Sequence, residues 1–326
     1  MIISRTPLRM SFAGGGSDLP AYYREHEGAV LSTAIDKYVY VTVNPKFDQR
    51  IRLSYSRTEE VRTVARVKHP LVREALKLLG ISGGVEITSI ADIPSRGTGL
   101  GSSSSFTVGL LHALHAFKGE YRSADQLARE CCEIEIERCH EPIGKQDQYA
   151  AAFGGLNFIR FFPDESVAVE PVICQRATLQ RLQENLLMFY TGLTRSASTV
   201  LEEKQRAIRA DRKKQAMLHE MVKLAGQLKV ELQNNHLEAF GEILHENWVL
   251  KKSLGRHVSS SQIDEWYATA RRAGATGGKL LGAGSGGFLL FYAPKDRHEA
   301  IRLALAPLRL IDFAFEPQGS RIIFVH

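Results

Sequence analysis

Between Pro94 and Phe117 the chain passes from a run of three glycines and four consecutive serines, Gly97-Thr-Gly-Leu-Gly-Ser-Ser-Ser-Ser105, straight into FTVGLLHALHAF. The second stretch carries an apolar residue at nearly every helical turn, too dense for a surface helix, so it predicts a helix buried against a sheet. A glycine-rich loop that feeds a helix amino terminus presents backbone N–H groups to an anion, because glycine permits both the turn and the close approach. The helix dipole adds about 0.3 to 1 kcal/mol towards holding negative charge there. A flexible linker would not continue into such a helix. No GxxxxGK[ST] occurs in the chain, so the cradle is not the ordinary P-loop.

Two other glycine-rich segments flank this one. Gly282, Gly284 and Gly287 match GxGxxG by letter, but the strand-like FLLFY follows them. A dinucleotide fingerprint follows a strand and opens a helix, so nicotinamide and flavin binding are set aside. The segment Ala13-Gly-Gly-Gly-Ser-Asp18 places one carboxylate and one hydroxyl beside three glycines. Such a turn can bring backbone against a sugar ring while Asp18 accepts from its hydroxyls.

The length of 326 residues fits two domains sharing a cleft. With 44% hydrophobic and 24% charged residues, the composition is that of a soluble globular protein. No run of 18 apolar residues occurs, and arginine interrupts the amino terminus early, so neither a membrane span nor a secretory signal is expected and the cytoplasm is the expected compartment. The cysteines at 131, 132, 139 and 174 lack paired spacing and read as reduced, packed thiols. A net charge of +6 suits anionic ligands. The dense basic run from Lys204 to Lys214 has no interleaved aromatic residues, so nucleic acid is not an expected partner.

Strands are predicted at Lys37–Asn44, Val85–Thr88, Gly286–Tyr292, Ile311–Phe315 and Arg321–Val325, and helices at Phe106–Phe117, Ser123–His140 and Arg297–Leu305. A proline-free helical stretch from Ser198 to about Leu254 marks a helix-rich second lobe. The division falls between Ile173 and Thr191, giving domains of residues 1–180 and 181–326.

The three loops, in this order, resemble the motifs of the GHMP kinase superfamily. Pro94 with Gly99-Leu-Gly-Ser-Ser103 fits the middle motif P-x-x-x-G-L-G-S-S with one extra residue after the proline. Lys279-Leu-Leu-Gly-Ala-Gly-Ser-Gly-Gly287 resembles the third motif. Gly144-Lys-Gln-Asp-Gln-Tyr149 with Phe153-Gly-Gly155 resembles the segment that carries the active-site aspartate. The first loop departs from G-E-H-x-D, since the chain has glycines where the glutamate and histidine would stand. That variant, RTPLRxSFAGGGSDLP with Tyr190-Thr-Gly-Leu-Thr-Arg195, is similar to the branch of heptose 7-phosphate kinases, and fucokinase-type domains share part of it.

The resemblance implies an α+β, two-lobed fold with a ribosomal-protein-S5-like amino-terminal β/α lobe and a helix-rich, ferredoxin-like carboxy-terminal lobe. It implies ATP and Mg²⁺ as cofactors and a sugar phosphate as acceptor, phosphorylated at its anomeric hydroxyl. Asp147 faces the acceptor hydroxyl, and Arg9 lies near the transferring phosphoryl group. Arg96, Gly97, Gly99, Leu100, Gly101, Ser102, Ser103 and Ser104 hold ATP; Ser103 and Glu137 hold the metal. Gly15, Gly16, Ser17, Asp18, Gly284 and Arg195 meet the acceptor, Arg195 through its bidentate fit to phosphate. The alternatives are a kinase of an unphosphorylated sugar such as fucose or galactose, and a non-catalytic sugar and ATP sensor. A serine hydrolase lacks its GxSxG elbow here. The homodimer is left open as the assembly.

Overall fold

A computed structural model describes residues 1–94, 97–193, 201, 205–206, 208, 211–255, 257–284 and 286–326. Its first sheet is built on a long antiparallel pair, β1 (Ile2–Ala13) and β2 (Gly28–Pro45). One half of β2 continues into β5 (Val85–Ala91), β3 (Ile51–Ser54) and β4 (Thr58–Val61). The other half pairs with β6 (Leu156–Phe161), which in turn pairs with β7 (Val167–Pro171). Along β2, Val39, Val41 and Val43 are buried while Tyr40 and Thr42 are not, the period-two pattern that KYVYVTVN predicts.

One face of this sheet is covered by α2 (Pro70–Leu78), α3 (Ser102–Phe117), α4 (Ala124–Cys132) and α5 (Gln146–Phe153). Helix α3 lies against β1 and β2, with Val108, Leu110, Leu111, Ala113 and Leu114 fully buried, as its apolar density requires. Its start differs from the expected one. The helix begins at Ser102, so the four serines form its first turn rather than part of the loop. Ser123 caps α4 in a capping box with Gln126, and the helix then runs into a π-helical turn at Glu133–Arg138. All four cysteines are free thiols, with Cys131 and Cys132 buried.

The second sheet has four antiparallel strands in the order β11 (Arg309–Ile311), β8 (Leu186–Tyr190), β10 (Phe288–Tyr292), β9 (Gly277–Leu280). Around it stand α6 (Arg176–Glu184), α7 (Arg212–Gln233), α8 (Phe240–Ser253), α9 (Ser261–Arg272) and α10 (His298–Ala304). Phe189, Trp248, Ile263, Leu289 and Phe291 fill its core. Helix α7 also packs on β1 and β2, so Leu224, Leu228 and Leu232 join the core of the first sheet.

Two expectations are corrected here. The strand expected at Ile311–Phe315 pairs only over Arg309–Ile311, and beyond it Phe315 makes a single bridge to Ile35. The last strand, β12 (Arg321–Val325), pairs with β1, so the chain crosses back into the first sheet after building the second. The two lobes are therefore not two consecutive segments. No helix among the described residues is long and apolar enough to cross a membrane.

One buried lysine joins the two sheets, and a second ties α8 to the end of β9. Lys279 on β9 is 1% exposed and donates from Nζ to the carbonyls of Ser11 (2.6 Å) and Phe12 (2.9 Å) at the end of β1. Lys251 on α8 donates to Leu280 O at 3.2 Å and Gly282 O at 2.5 Å. Between them, Asn247 Oδ1 accepts from Gly14 N–H at 3.1 Å. Replacing Lys279 by methionine leaves those carbonyls without their cation, and we expect a loss of about 1 to 3 kcal/mol, read as a lower denaturant midpoint. An unchanged midpoint would show that the ammonium does not hold β1 to the second sheet.

Candidate active site

The glycine-serine loop ends in Gly101, the N-cap of α3, held at φ +76°. Gly99 is also left-handed, at +75°, and here the backbone of the third loop presses on the second: a Cβ at Gly282 would lie 2.2 Å from Gly99 Cα. The third loop thus serves as a backing for the second. Gly284, expected to meet the acceptor, has φ +127°, and a Cβ there would strike the Val258 backbone at 2.8 Å, so its lack of a side chain is explained by packing.

Ser105 N donates to Gly101 O at 2.9 Å, the first bond of the helix, so the N–H groups of Ser102, Ser103 and Ser104 lie ahead of the intrahelical ladder. The hydroxyls divide differently from the expectation. Ser105 Oγ donates to Pro7 O, Ser102 is 8% exposed with its Oγ 3.3 Å from Thr98 Oγ1, and Ser104 is 2% exposed. Ser103 alone among them is exposed. What this turn can offer an anion is therefore backbone N–H plus one hydroxyl. Leu100 is fully buried, and its carbonyl accepts from Arg9 N–H at 3.0 Å.

Arg9 and Asp147 form a fork beneath the turn. Arg9 Nε donates to Asp147 Oδ1 and Nη2 to Oδ2, both at 2.8 Å, while Nη1 donates to Gly99 O at 2.7 Å. The arginine side chain is 4% exposed and the aspartate 25%. A Cβ on Gly101 would stand 3.3 Å from Arg9 Cγ and 3.4 Å from Asp147 Oδ2, so the helix amino terminus, the cation and the carboxylate meet at one point. Three of the five guanidinium N–H groups are used in these bonds among the described residues.

The carboxylate beside Ser103 is Glu135, and this corrects the expected Glu137. Glu137 is exposed on the π-helical turn, whereas Glu135 is fully buried and accepts from Ser103 Oγ (2.9 Å), Ser104 Oγ (2.7 Å), Thr107 Oγ1 (3.2 Å) and Gln148 Nε2 (2.8 Å). Burial pushes its carboxyl above the usual range, against the pull of the Ser104, Ser103 and Gln148 donors. The physical reason is the helix face: Glu135 follows Cys131 by four residues and so lies on the buried stripe of Leu127, Cys131 and Ile134. A glutamate on an apolar stripe was the signal in the sequence that could have found it.

In the first loop the expected acceptor residues mostly face inward. Ser17 is fully buried, donating to Gly14 O at 2.8 Å, and Asp18 is 2% exposed. Asp18 accepts from Gly16 N–H at 2.8 Å and from Gln146 Nε2 at 3.0 Å, tying the loop to the start of α5. The reading of Asp18 as a carboxylate open to a sugar is corrected accordingly. Gly16 is buried, and Gly15 alone of Gly14–Asp18 is partly open. Arg96 and Arg195 lie outside the described residues.

Comparison with known proteins gives a consistent picture. The family description "GHMP kinases N terminal domain" matches residues 63–155, and "GHMP kinases C terminal" matches residues 228–308. The chain is 30% identical to D-glycero-alpha-D-manno-heptose 7-phosphate kinase of Campylobacter jejuni, over 98% of each. It is 25% identical to a galactokinase of Pyrococcus furiosus, over 97% of this chain and 95% of the other. Among solved structures, a D-glycero-D-manno-heptose 1-phosphate kinase from Bacteroides thetaiotaomicron superposes with a TM-score of 0.83 at 26% identity, covering 100% of both chains.

Proposed function

The chain belongs to the GHMP kinase family, and from that premise we propose that it transfers the γ-phosphoryl group of ATP to the anomeric hydroxyl of D-glycero-D-manno-heptose 7-phosphate, giving the 1,7-bisphosphate and ADP. As a family member it is a sugar kinase, a phosphotransferase with an alcohol acceptor. The heptose phosphate is supported by the relative from Campylobacter, whose match extends over nearly the whole of both chains.

The observation that carries the reading is the three-way grip of Arg9, which joins Asp147 to the carbonyl of Gly99 in the turn ahead of α3. Phosphoryl transfer needs donor and acceptor aligned and charge on the transferring group neutralised. The N–H groups at the start of α3 and the Arg9 guanidinium face the donor phosphates. Asp147 orients the acceptor hydroxyl and takes its proton as the new O–P bond forms. The bond from the γ-phosphorus to the bridging oxygen breaks, ADP leaves with that electron pair, and the proton passes from Asp147 to solvent.

The donor set fits a hard cation. Ser103 donates its O–H to Glu135 in a hydrogen bond and so turns hydroxyl lone pairs outward, beside a buried carboxylate that supplies negative charge. Mg²⁺ bound there would neutralise nucleotide phosphate charge.

ADP release measured with heptose 7-phosphate, mannose, fucose and galactose tests the reading. Heptose 7-phosphate should give the highest kcat/KM, with a bisphosphate product by phosphorus NMR. A higher value for an unphosphorylated sugar would assign the chain to a fucokinase- or galactokinase-like activity, and no release with any sugar would favour the sensor.

A further inference from the structure

We propose that Glu165 is a positioning residue for the transfer step, which holds the amino end of α5, and with it Asp147, through the side chain of Lys145. This rests on the sugar-kinase reading and goes beyond it by naming a group outside the site that fixes where Asp147 stands.

Helix α5 begins without a capping side chain of its own: its N-cap is Lys145, which makes no side-chain bond to the first N–H groups of the helix. Such a start frays unless contacts from elsewhere hold it. Asp147 is the second residue of that first turn, so fraying would carry it out of place. Arg9 grips its carboxylate, but the backbone beneath must be held as well. Lys145 N–H donates to Asp18 O at 3.2 Å and Gln146 N–H to Asp18 Oδ2 at 3.4 Å, both long bonds. The firmer hold is the Lys145 ammonium. Its side chain is 11% exposed and reaches the hairpin between β6 and β7, where Nζ donates to the Glu165 carbonyl at 3.0 Å and to the Glu165 carboxylate.

The hairpin itself gives no reason for a glutamate. Glu165 sits at φ +69°, in the left-handed region that glycine enters readily and glutamate rarely does. The turn closes through Glu165 N–H to Phe162 O and Phe162 N–H to Ser166 O, both at 3.0 Å, and uses nothing of the glutamate side chain. A glycine would serve there as well. The side chain instead gathers donors from two other elements. Oε2 accepts from the Tyr23 hydroxyl at 2.8 Å and from Lys145, and Oε1 accepts from Arg24 Nε at 2.7 Å, at the end of α1 (Pro20–Tyr23). The Lys145 ammonium also lies 4.6 Å from the centre of the buried Tyr23 ring. Burial opposes charge on the Glu165 carboxyl, yet the Lys145, Tyr23 and Arg24 donors lower it to about 2, so it is ionised at neutral pH. An unfavourable backbone conformation is thus kept beside side-chain bonds that end on the helix carrying Asp147, and strain of that kind points to a role at the site it serves.

Glu165→Gly suits the turn and deletes the contact. Measured well below its Tm, it should lower kcat on the accepted sugar by about 10-fold while the KM for ATP changes by less than about twofold, because Asp147 loses its alignment and the turn ahead of α3 keeps its shape. Glu165→Gln keeps an acceptor oxygen for Lys145 and should recover part of the rate. Lys145→Met should match Glu165→Gly, and the double variant should lose no more than about twofold beyond either single change, since both cut the same link. Arg24→Met removes a partner from the other carboxylate oxygen and should leave kcat as it is. Amide hydrogen exchange over residues 145–150 gives a reading that needs no turnover: it should be faster in Glu165→Gly and Lys145→Met and unchanged in Arg24→Met. Whether wild type phosphorylates any sugar decides the kinase reading by itself; the exchange pattern and the variant-to-wild-type ratios decide this proposal. Wild-type exchange over residues 145–150 in Glu165→Gly, a wild-type kcat in that variant, or equal losses from Arg24→Met and Lys145→Met would overturn it.

Discussion

Asp147→Asn is expected to lower kcat by about 10² to 10⁴-fold with nucleotide affinity largely retained, because it removes the group proposed to take the acceptor proton and leaves the turn ahead of α3 in place. The substitution also takes the countercharge from Arg9, a guanidinium only 4% exposed. Breaking one partner of a buried pair is destabilising, by about 3 to 5 kcal/mol where burial is complete, so the variant's Tm must be measured beside its rate. The third contact of Arg9, on Gly99 O, is untouched by the change and should keep the arginine in position. Because Arg9 is also assigned to the donor phosphates, Arg9→Gln combined with Asp147→Asn should lower the rate further than Asp147→Asn alone. A folded Asp147→Asn protein with a near-wild-type kcat would remove Asp147 from the reaction.

The second large effect is expected at Glu135. Glu135→Gln keeps the shape but removes the charge and offers an NH₂ group to a shell made almost wholly of donors: Ser103, Ser104, Thr107 and Gln148. An amide in that shell either meets the Gln148 NH₂ group or makes the Ser103 and Thr107 hydroxyls turn to accept from it, and the second outcome disturbs the Ser103 hydroxyl. We expect activity at limiting Mg²⁺ to fall by about 10 to 100-fold, the usual consequence of altering a group that orients a metal-binding oxygen. Saturating Mg²⁺ should restore part of it. Glu137→Gln, on the exposed side of the same turn, should leave the magnesium dependence as it is. If the two variants changed the magnesium titration equally, the assignment of the inner carboxylate would be wrong.

The sequence carried the fold far because its strongest patterns are local. The dense apolar helix after the serines, the period-two valines of β2 and the Ser123 cap each follow from a few neighbouring residues, and each appears in the structure. The Arg9–Asp147 pair could be anticipated only through the motifs, since 138 residues separate the partners and no spacing rule joins them. What local pattern could not give was the direction of side chains at the site. Four adjacent serines look alike in sequence, yet the helix that starts at Ser102 sends Ser104 and Ser105 inward and leaves Ser103 outside. Glu137 is likewise the glutamate the resemblance implies, and the buried stripe of the preceding helix points to Glu135 instead. The return of β12 to β1 is a long-range pairing, decided by the whole sheet rather than by the RIIFV segment.

The most direct measurement is a crystal structure of the protein with Mg²⁺ and a non-hydrolysable ATP analogue. The triphosphate should lie across Gly97–Ser104, accepting from the N–H groups that open α3, with its terminal phosphate beside Arg9 and Asp147 and its metal on the Ser103 side. A triphosphate bound away from that turn would contradict the account, since each role given to Arg9, Ser103, Glu135 and Asp147 depends on the nucleotide lying there.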